Sequence, residues 1–146
     1  MKAILFLAIL GALAVSAACS STNQLVNANT NECVNVPYHG YPVEGTPVRI
    51  KQCDPWQNQQ WAFNDGHITG VGGFCLDVQG SAAVEGAPIN YVPCDGRPSQ
   101  NWTLVNGVIQ GIGGKCVDVQ GGAPYNQAPL ILATCSGSPT QQWVVH

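Results

Sequence analysis

Seven cysteines dominate the reactive side chains of this 146-residue chain, and their setting decides what chemistry they can do. Lys2 is followed by an uncharged apolar run from Ala3 to Val15, and then by the small residues Ser16, Ala17 and Ala18. That order is a signal peptide's, so residues 1–19 read as an export leader cleaved near Ala18 or Cys19. The mature protein is expected to be secreted. As a helix the apolar run rises only about 20 Å, short of the roughly 30 Å of a bilayer core, and no later stretch is long enough to span a membrane. Outside the cell thiols oxidise, so Cys33, Cys53, Cys75, Cys94, Cys116 and Cys135 read as a disulfide framework rather than as zinc ligands. Cleavage after Ala18 would leave Cys19 at the N-terminus, as in an acylated bacterial lipoprotein. Ser16 stands where such a signal usually carries a bulky apolar residue, which favours ordinary secretion.

Other reactive groups are scattered. His39, His67 and His146 share no spacing with one another or with carboxylates, so neither a metal site nor a cofactor is expected. Catalysis needs an acid and base, or a nucleophile and base, in one pocket. The eight carboxylates are spread along the chain and no Ser–His or Cys–His pairing emerges, so the protein reads as a non-enzyme. After the leader only Arg49, Lys51, Arg97 and Lys115 are basic, without clustering, which excludes nucleic acid as an expected partner. Gly70-x-Gly72-Gly73 and Gly111-x-Gly113-Gly114 look superficially like phosphate loops, but each leads into a strand and reads as a hairpin turn. Asn101-Trp102-Thr103 is an N-glycosylation sequon whose tryptophan is expected to be buried, which counts against its use.

The elements that must position these groups follow from an internal repeat. The cysteines fall at within-pair separations of 20, 19 and 19 residues, and Trp61, Trp102 and Trp143 each follow the second cysteine of a pair by eight. Two independent landmarks thus keep one period of about 41 residues, the mark of a supersecondary unit used three times. The copies span about 25–63, 68–104 and 109–146. Asn31 stands where the later copies have Gly73 and Gly114, consistent with a turn at positive φ, which Asn tolerates better than other side chains. Short alternations of apolar and polar residues between turn residues predict about four strands per copy, roughly twelve in all. Leu76, Val78, Ile89 and Tyr91 then face inward, and Cys75, Asp77, Asn90, Val92 and Cys94 outward. A bond between Cys75 and Cys94 would make Asp77 and Val92 neighbours on that outer face. A propeller normally needs at least four blades, so three units about a pseudo-threefold axis fit better. The tryptophans are then core packers.

Cys-x-Asp-Val (Cys-x-Asn-Val in the first copy), an apolar-x-apolar strand ending at a second cysteine, and a closing Gln-x-Trp, three times over, resemble the ricin B-type lectins and the similar modules appended to xylanases. The resemblance runs from about Leu25 to His146. It implies an all-β fold, a β-trefoil, with one disulfide per repeat: Cys33–Cys53, Cys75–Cys94 and Cys116–Cys135. A sugar pocket of that family uses the Asp two residues after the first cysteine, an aromatic two before the second, and an Asn-Gln pair ahead of the Trp. Carboxylates accept from adjacent hydroxyls, rings cover the C–H face of a pyranose, and amides donate and accept together.

Carried over, the second repeat offers Asp77, Asn90 and Gln100, with Val92 in the aromatic's place and Ser99 in that of the Asn. The third offers Asp118, Ile131 and Gln141, with Ala133 and Thr140 at those places. A weaker first-repeat site has Asn58 and Gln59, but Asn35 for the Asp and Lys51 for the aromatic. Tyr38, His39, Tyr41, Trp56 and Tyr125 are aromatics with two readings, packing in loops or replacing the missing ring. A structural reading competes: Asp77 and Asp118 brace strand ends, and the Gln side chains tie strands together. The function implied is a secreted, non-catalytic carbohydrate-binding protein for galactose-like or xylan-like glycans, at shallow sites in the second and third repeats. The rivals are a secreted inhibitor or effector that binds a protein through the loop from Pro37 to Gly45, and a structural cell-surface protein anchored or polymerised through Cys19.

Overall fold

The computed structural model describes residues 22–37, 42–122 and 127–146. The expected leader (residues 1–19, Cys19 included) and the loop residues Tyr38, His39, Tyr41 and Tyr125 lie outside them. Among the described residues there are thirteen strands: β1 (Leu25–Asn27), β2 (Glu32–Asn35), β3 (Thr46–Pro47), β4 (Arg49–Gln52), β5 (Ala62–Asn64), β6 (His67–Thr69), β7 (Cys75–Val78), β8 (Ile89–Val92), β9 (Thr103–Val105), β10 (Val108–Gln110), β11 (Cys116–Val119), β12 (Leu130–Ala133) and β13 (Trp143–Val145). They pair antiparallel into three sheets ordered β13-β1-β2-β4, β3-β8-β7-β6-β5 and β12-β11-β10-β9. The count exceeds the expected twelve by the two-residue β3, which crosses from the first repeat to pair with β8 through Thr46↔Tyr91 and Pro47↔Asn90.

Each sheet begins with the strand just after, or at, a Gln-x-Trp tryptophan. β5 follows Trp61 and joins the sheet of the second cysteine pair, β9 follows Trp102 and joins that of the third, and β13 contains Trp143 and joins that of the first. The chain therefore closes on itself, with Leu25 opposite Val145 and Asn27 opposite Trp143. Each tryptophan nitrogen tells the same story. Trp61 N–H donates to Asn23, Trp102 to Gly66 and Trp143 to Gly107.

The core is threefold in composition. Val34, Leu76 and Val117 form one equivalent set, Val36, Val78 and Val119 a second, Val48, Ile89 and Leu130 a third, and Ile50, Tyr91 and Leu132 a fourth, all at most 2% exposed. Burying a side chain of this size contributes roughly 1.5–3 kcal/mol. Trp61, Trp102 and Trp143 pack beside them, and each indole Nε1 donates to the carbonyl after the first cysteine: Val34 at 2.9 Å, Leu76 at 3.0 Å and Val117 at 3.2 Å. The ring must lie close to the backbone of a turn to do this. A Cβ on Gly70 would come within 2.8 Å of the Trp61 ring, and one on Gly111 within 2.5 Å of the Trp102 ring.

The glycine runs are turns, as expected. They form single 3-10 turns that join β6 to β7 and β10 to β11. Asn31 takes φ 58° where Gly73 takes 74° and Gly114 takes 69°, so the Asn-for-Gly exchange keeps the left-handed conformation. All three expected disulfides are present, with Cα–Cα distances of 5.0, 5.1 and 5.1 Å. Among the described residues no helix is long and apolar enough to cross a membrane.

Candidate functional site

β7 and β11 put Leu76 and Val78, or Val117 and Val119, into the core, and so turn Asp77 and Asp118 to the other face. That face is not a solvated one. Cys75 and Cys116 on it are fully buried, Asp77 is 3% exposed, and Asp118 is half-buried. The register also differs from the expectation that Asp77 and Val92 would be neighbours. Asp77 stands opposite Asn90, and Val92 opposite Cys75, because a disulfide to Cys94 forms just past the end of β8 rather than within it. In the third repeat Asp118 is likewise opposite Ile131, and Ala133 opposite Cys116. The position two before the second cysteine thus lies across from the first cysteine in every repeat, with Lys51 opposite Cys33.

The glutamines supply the order behind the carboxylates. Gln141 Nε2 donates to Asp118 Oδ2 at 3.0 Å and to the Thr134 carbonyl at 2.9 Å, while its Oε1 accepts from Ser136 N–H at 2.9 Å. Gln100 repeats the arrangement with Asp77 Oδ2 at 3.3 Å, the Pro93 carbonyl at 3.1 Å and Asp95 N–H at 2.9 Å. Gln59 repeats it with Asn35 Oδ1 at 3.3 Å, the Gln52 carbonyl at 3.0 Å and Asp54 N–H at 2.8 Å. These amides are at most 2% exposed. Both readings of the sequence meet here: the Gln side chain ties the 3-10 turn before the tryptophan to two strands, and by doing so it aims the carboxylate.

The three repeats differ in what is left over. In the first, Asn35 Oδ1 takes hydrogen bonds from both Asn58 Nδ2 (2.9 Å) and Gln59, and Lys51 Nζ pairs with Asp54 Oδ2 at 3.2 Å. That site lacks a carboxylate and its amides are occupied with each other, although Asn58 Oδ1 is buried without a partner. In the second, Asp77 Oδ1, Asn90 Oδ1 and Ser99 Oγ are all buried without a partner. In the third, Asp118 Oδ1 accepts from Val119 N–H at 2.7 Å, and the carboxylate faces partly to solvent beside half-buried Ile131 and buried Ala133. Bracing of a strand end and availability to a ligand coexist in Asp118.

Sequence reasoning singled out Trp56 as an aromatic but did not recognise that the residue three before each Gln of Gln-x-Trp is an equivalent position in all three repeats. Trp56, Arg97 and Ser138 each precede the 3-10 turn in extended conformation. Each donates its N–H to the side chain next to the second cysteine: Asp54 at 3.1 Å, Asp95 at 3.0 Å and Ser136 at 3.2 Å. The signal that could have found the position is the polar residue directly after Cys53, Cys94 and Cys135. The position itself varies from indole to guanidinium to hydroxymethyl, and so leaves no trace in a repeat alignment. Trp56 is 59% exposed and is the largest exposed ring among the described residues.

Arg97 is the one cation at such a position. Its Nε donates to Asp95 Oδ2 at 2.6 Å and its Nη2 pairs with the same oxygen, while Nη1 lies 3.4 Å from Ser81 Oγ and 3.6 Å from Asp77 Oδ2. Arg97 holds the Asp95 carboxyl below its ordinary range, first through the side-chain hydrogen bond. A second charged cluster straps repeats two and three together: Glu85 accepts from Lys115 Nζ at 2.7 Å and from Thr134 N–H and Oγ1 at 2.9 and 2.8 Å. The Lys115 hydrogen bond, then those from Thr134, bring Glu85 down to about 2. Among the described residues no group of three or more His, Cys, Asp or Glu side chains is placed to hold a metal ion.

Residues 21–143 match the family model described as ricin-type beta-trefoil lectin domain. No curated protein sequence matches the chain. Among solved structures it is similar to the designed 3-fold symmetric protein ThreeFoil (TM-score 0.75, 26% identity, over 85% of this chain and 96% of that one). It is similar to the C-half of an earthworm R-type lectin in complex with GalNAc (TM-score 0.75, 16% identity, over 86% and 97%). It is also similar to an exo-beta-1,3-galactanase from Clostridium thermocellum (TM-score 0.76, 20% identity), of which it spans 30% while 86% of this chain is covered.

Proposed function

Because this chain belongs to the ricin-type beta-trefoil lectin domain family, a carbohydrate-binding role is its starting point, and we propose that it is a secreted, non-catalytic lectin whose working site is in the third repeat. The observation that carries the assignment is the half-buried Asp118 carboxylate, aimed from behind by Gln141 Nε2 at 3.0 Å. A carboxylate fixed in this way accepts hydrogen bonds from two adjacent sugar hydroxyls without first having to be ordered. The second repeat supplies the same pair in Asp77 and Gln100, and the first supplies none.

Galactose-like or xylan-like glycans are the proposed ligands. The earthworm relative's structure contains GalNAc, and the galactanase relative's substrate is a galactose polymer by its name. With Ala133 in place of a stacking ring, a single site binds weakly, and attachment to a surface bearing many glycans would rest on avidity. A glycan array on the mature protein tests this. Retention on galactose- or xylose-terminated glycans that is lost in Asp118→Ala is the expected result, and an array blank for the wild type would overturn the reading.

A further inference from the structure

Asp77 and Asp118 occupy the same place in their repeats and bond the same glutamine, yet one is 3% exposed and the other half-buried. The two repeats differ at the position three before the glutamine. In the third repeat it is Ser138, whose short side chain turns to Thr140 Oγ1 at 3.1 Å and leaves the carboxylate uncovered. In the second it is Arg97, which reaches across to Ser81 Oγ and to within 3.6 Å of Asp77 Oδ2 while Asp95 grips it from the other side. We infer that Arg97 is a latch that closes the second repeat's site, so that the resting protein offers a glycan Asp118, and offers Asp77 only when Arg97 leaves.

The atoms beneath the latch are the second line of support. Asp77 Oδ1, Asn90 Oδ1 and Ser99 Oγ are buried with no hydrogen-bond partner. Asp77 and Asn90 face each other across β7 and β8, and Ser99 adjoins Gln100, which bonds Asp77. Unmet buried polar atoms are costly in a folded protein, and sugar hydroxyls, which both donate and accept, are groups that could satisfy them. The first two are acceptors and want donors, which a sugar has and Arg97 as placed does not supply to them. The latch itself is built to release. Arg97 and Asp95 are 47% and 42% exposed, so solvent and salt screen their attraction.

This inference rests on the carbohydrate-binding reading, and one set of variants separates the two. Wild type, Asp118→Ala, Arg97→Ser with Asp118→Ala, and that double variant with Asp77→Ala would be assayed on the same glycan array, each checked for a wild-type melting transition. Arg97→Ala replaces Arg97→Ser if the latter melts abnormally. The expected pattern is binding, loss of at least tenfold, recovery and loss again. An Arg97→Ser/Asp118→Ala protein that melts normally and stays blank overturns the latch while the third-repeat site stands. Binding that survives Asp118→Ala with Arg97 in place also overturns it, because the second site was then open. An array blank for the wild type and for the Arg97→Ser/Asp118→Ala protein alike overturns the latch and the carbohydrate reading together.

Discussion

Gln141 and Asp118 are joined by a side-chain hydrogen bond of 3.0 Å between the last 3-10 turn and β11, and the same amide spans the Thr134 carbonyl and the Ser136 N–H. One side chain thus satisfies three polar groups that lie on different parts of the chain. Its counterparts Gln100 and Gln59 do the same, which makes the Gln of Gln-x-Trp a structural clamp and the carboxylate in front of it the group left for a ligand.

Gln141→Ala should therefore cost both stability and binding. It strands the Thr134 carbonyl, the Ser136 N–H and one Asp118 carboxylate oxygen, all in part-buried hydrogen bonds, so the loss for each is at the low end of the about 1–3 kcal/mol that a fully buried group would cost. Urea denaturation should show a lower midpoint with an unchanged slope, and glycan retention should fall along with it. Asp118→Ala separates the two effects, losing retention with a much smaller shift in the midpoint, because Asp118 is half-buried and Gln141 keeps its two backbone partners.

Trp102→Phe removes the Nε1 hydrogen bond to Leu76 and leaves that buried carbonyl unmet. A loss of about 1–3 kcal/mol is expected from the hydrogen bond, with a further cost for the space the smaller ring leaves. Gly111→Ala should destabilise by about 1–3 kcal/mol from the opposite direction, since the new methyl group meets the Trp102 ring at 2.5 Å. Thermal melts of the two variants would measure both, and a Gly111→Ala protein as stable as wild type would refute the close approach.

Glu85 gives the fold an acid-sensitive strap between repeats two and three. Its folded-state value of about 2 lies below the ordinary 4.5, so its contribution is complete above about pH 4.5 and is lost as the pH falls toward 2. Glu85→Gln should destabilise the protein at pH 7, and the gap between wild type and variant should close across that window. Melting temperatures measured from pH 7 to pH 2 would show it, and a constant gap would count against the ion pair with Lys115.

Reduction of the Cys116–Cys135 bridge, or its replacement by two serines, should cost about 3 kcal/mol in the chain-entropy model, for a loop of 19 residues. Chemical denaturation of the double serine variant is the direct check.

Much of this protein was legible in its sequence. Cysteine and tryptophan spacing is a one-dimensional property, and three copies of it determined the threefold β architecture and the buried tryptophans, while the disulfide pairing followed from the resemblance that the repeats carry. The alternation in Cys75-Leu76-Asp77-Val78 determined which residues enter the core, because side chains on a strand must alternate, and the exchange of Asn31 for glycine foretold a left-handed turn. The tertiary structure decided what the carboxylates are worth. Register placed Asp77 opposite Asn90 rather than beside Val92, and burial on both faces of β7 hid it. Closure of the first sheet by β13, and the reach of Arg97 over a carboxylate twenty residues earlier in the chain, depend on where separate segments meet in space. Repeat spacing records what the three units share, and so it shows the scaffold. Their differences in function come from side chains that extend between segments, and only the packed molecule sets where those end.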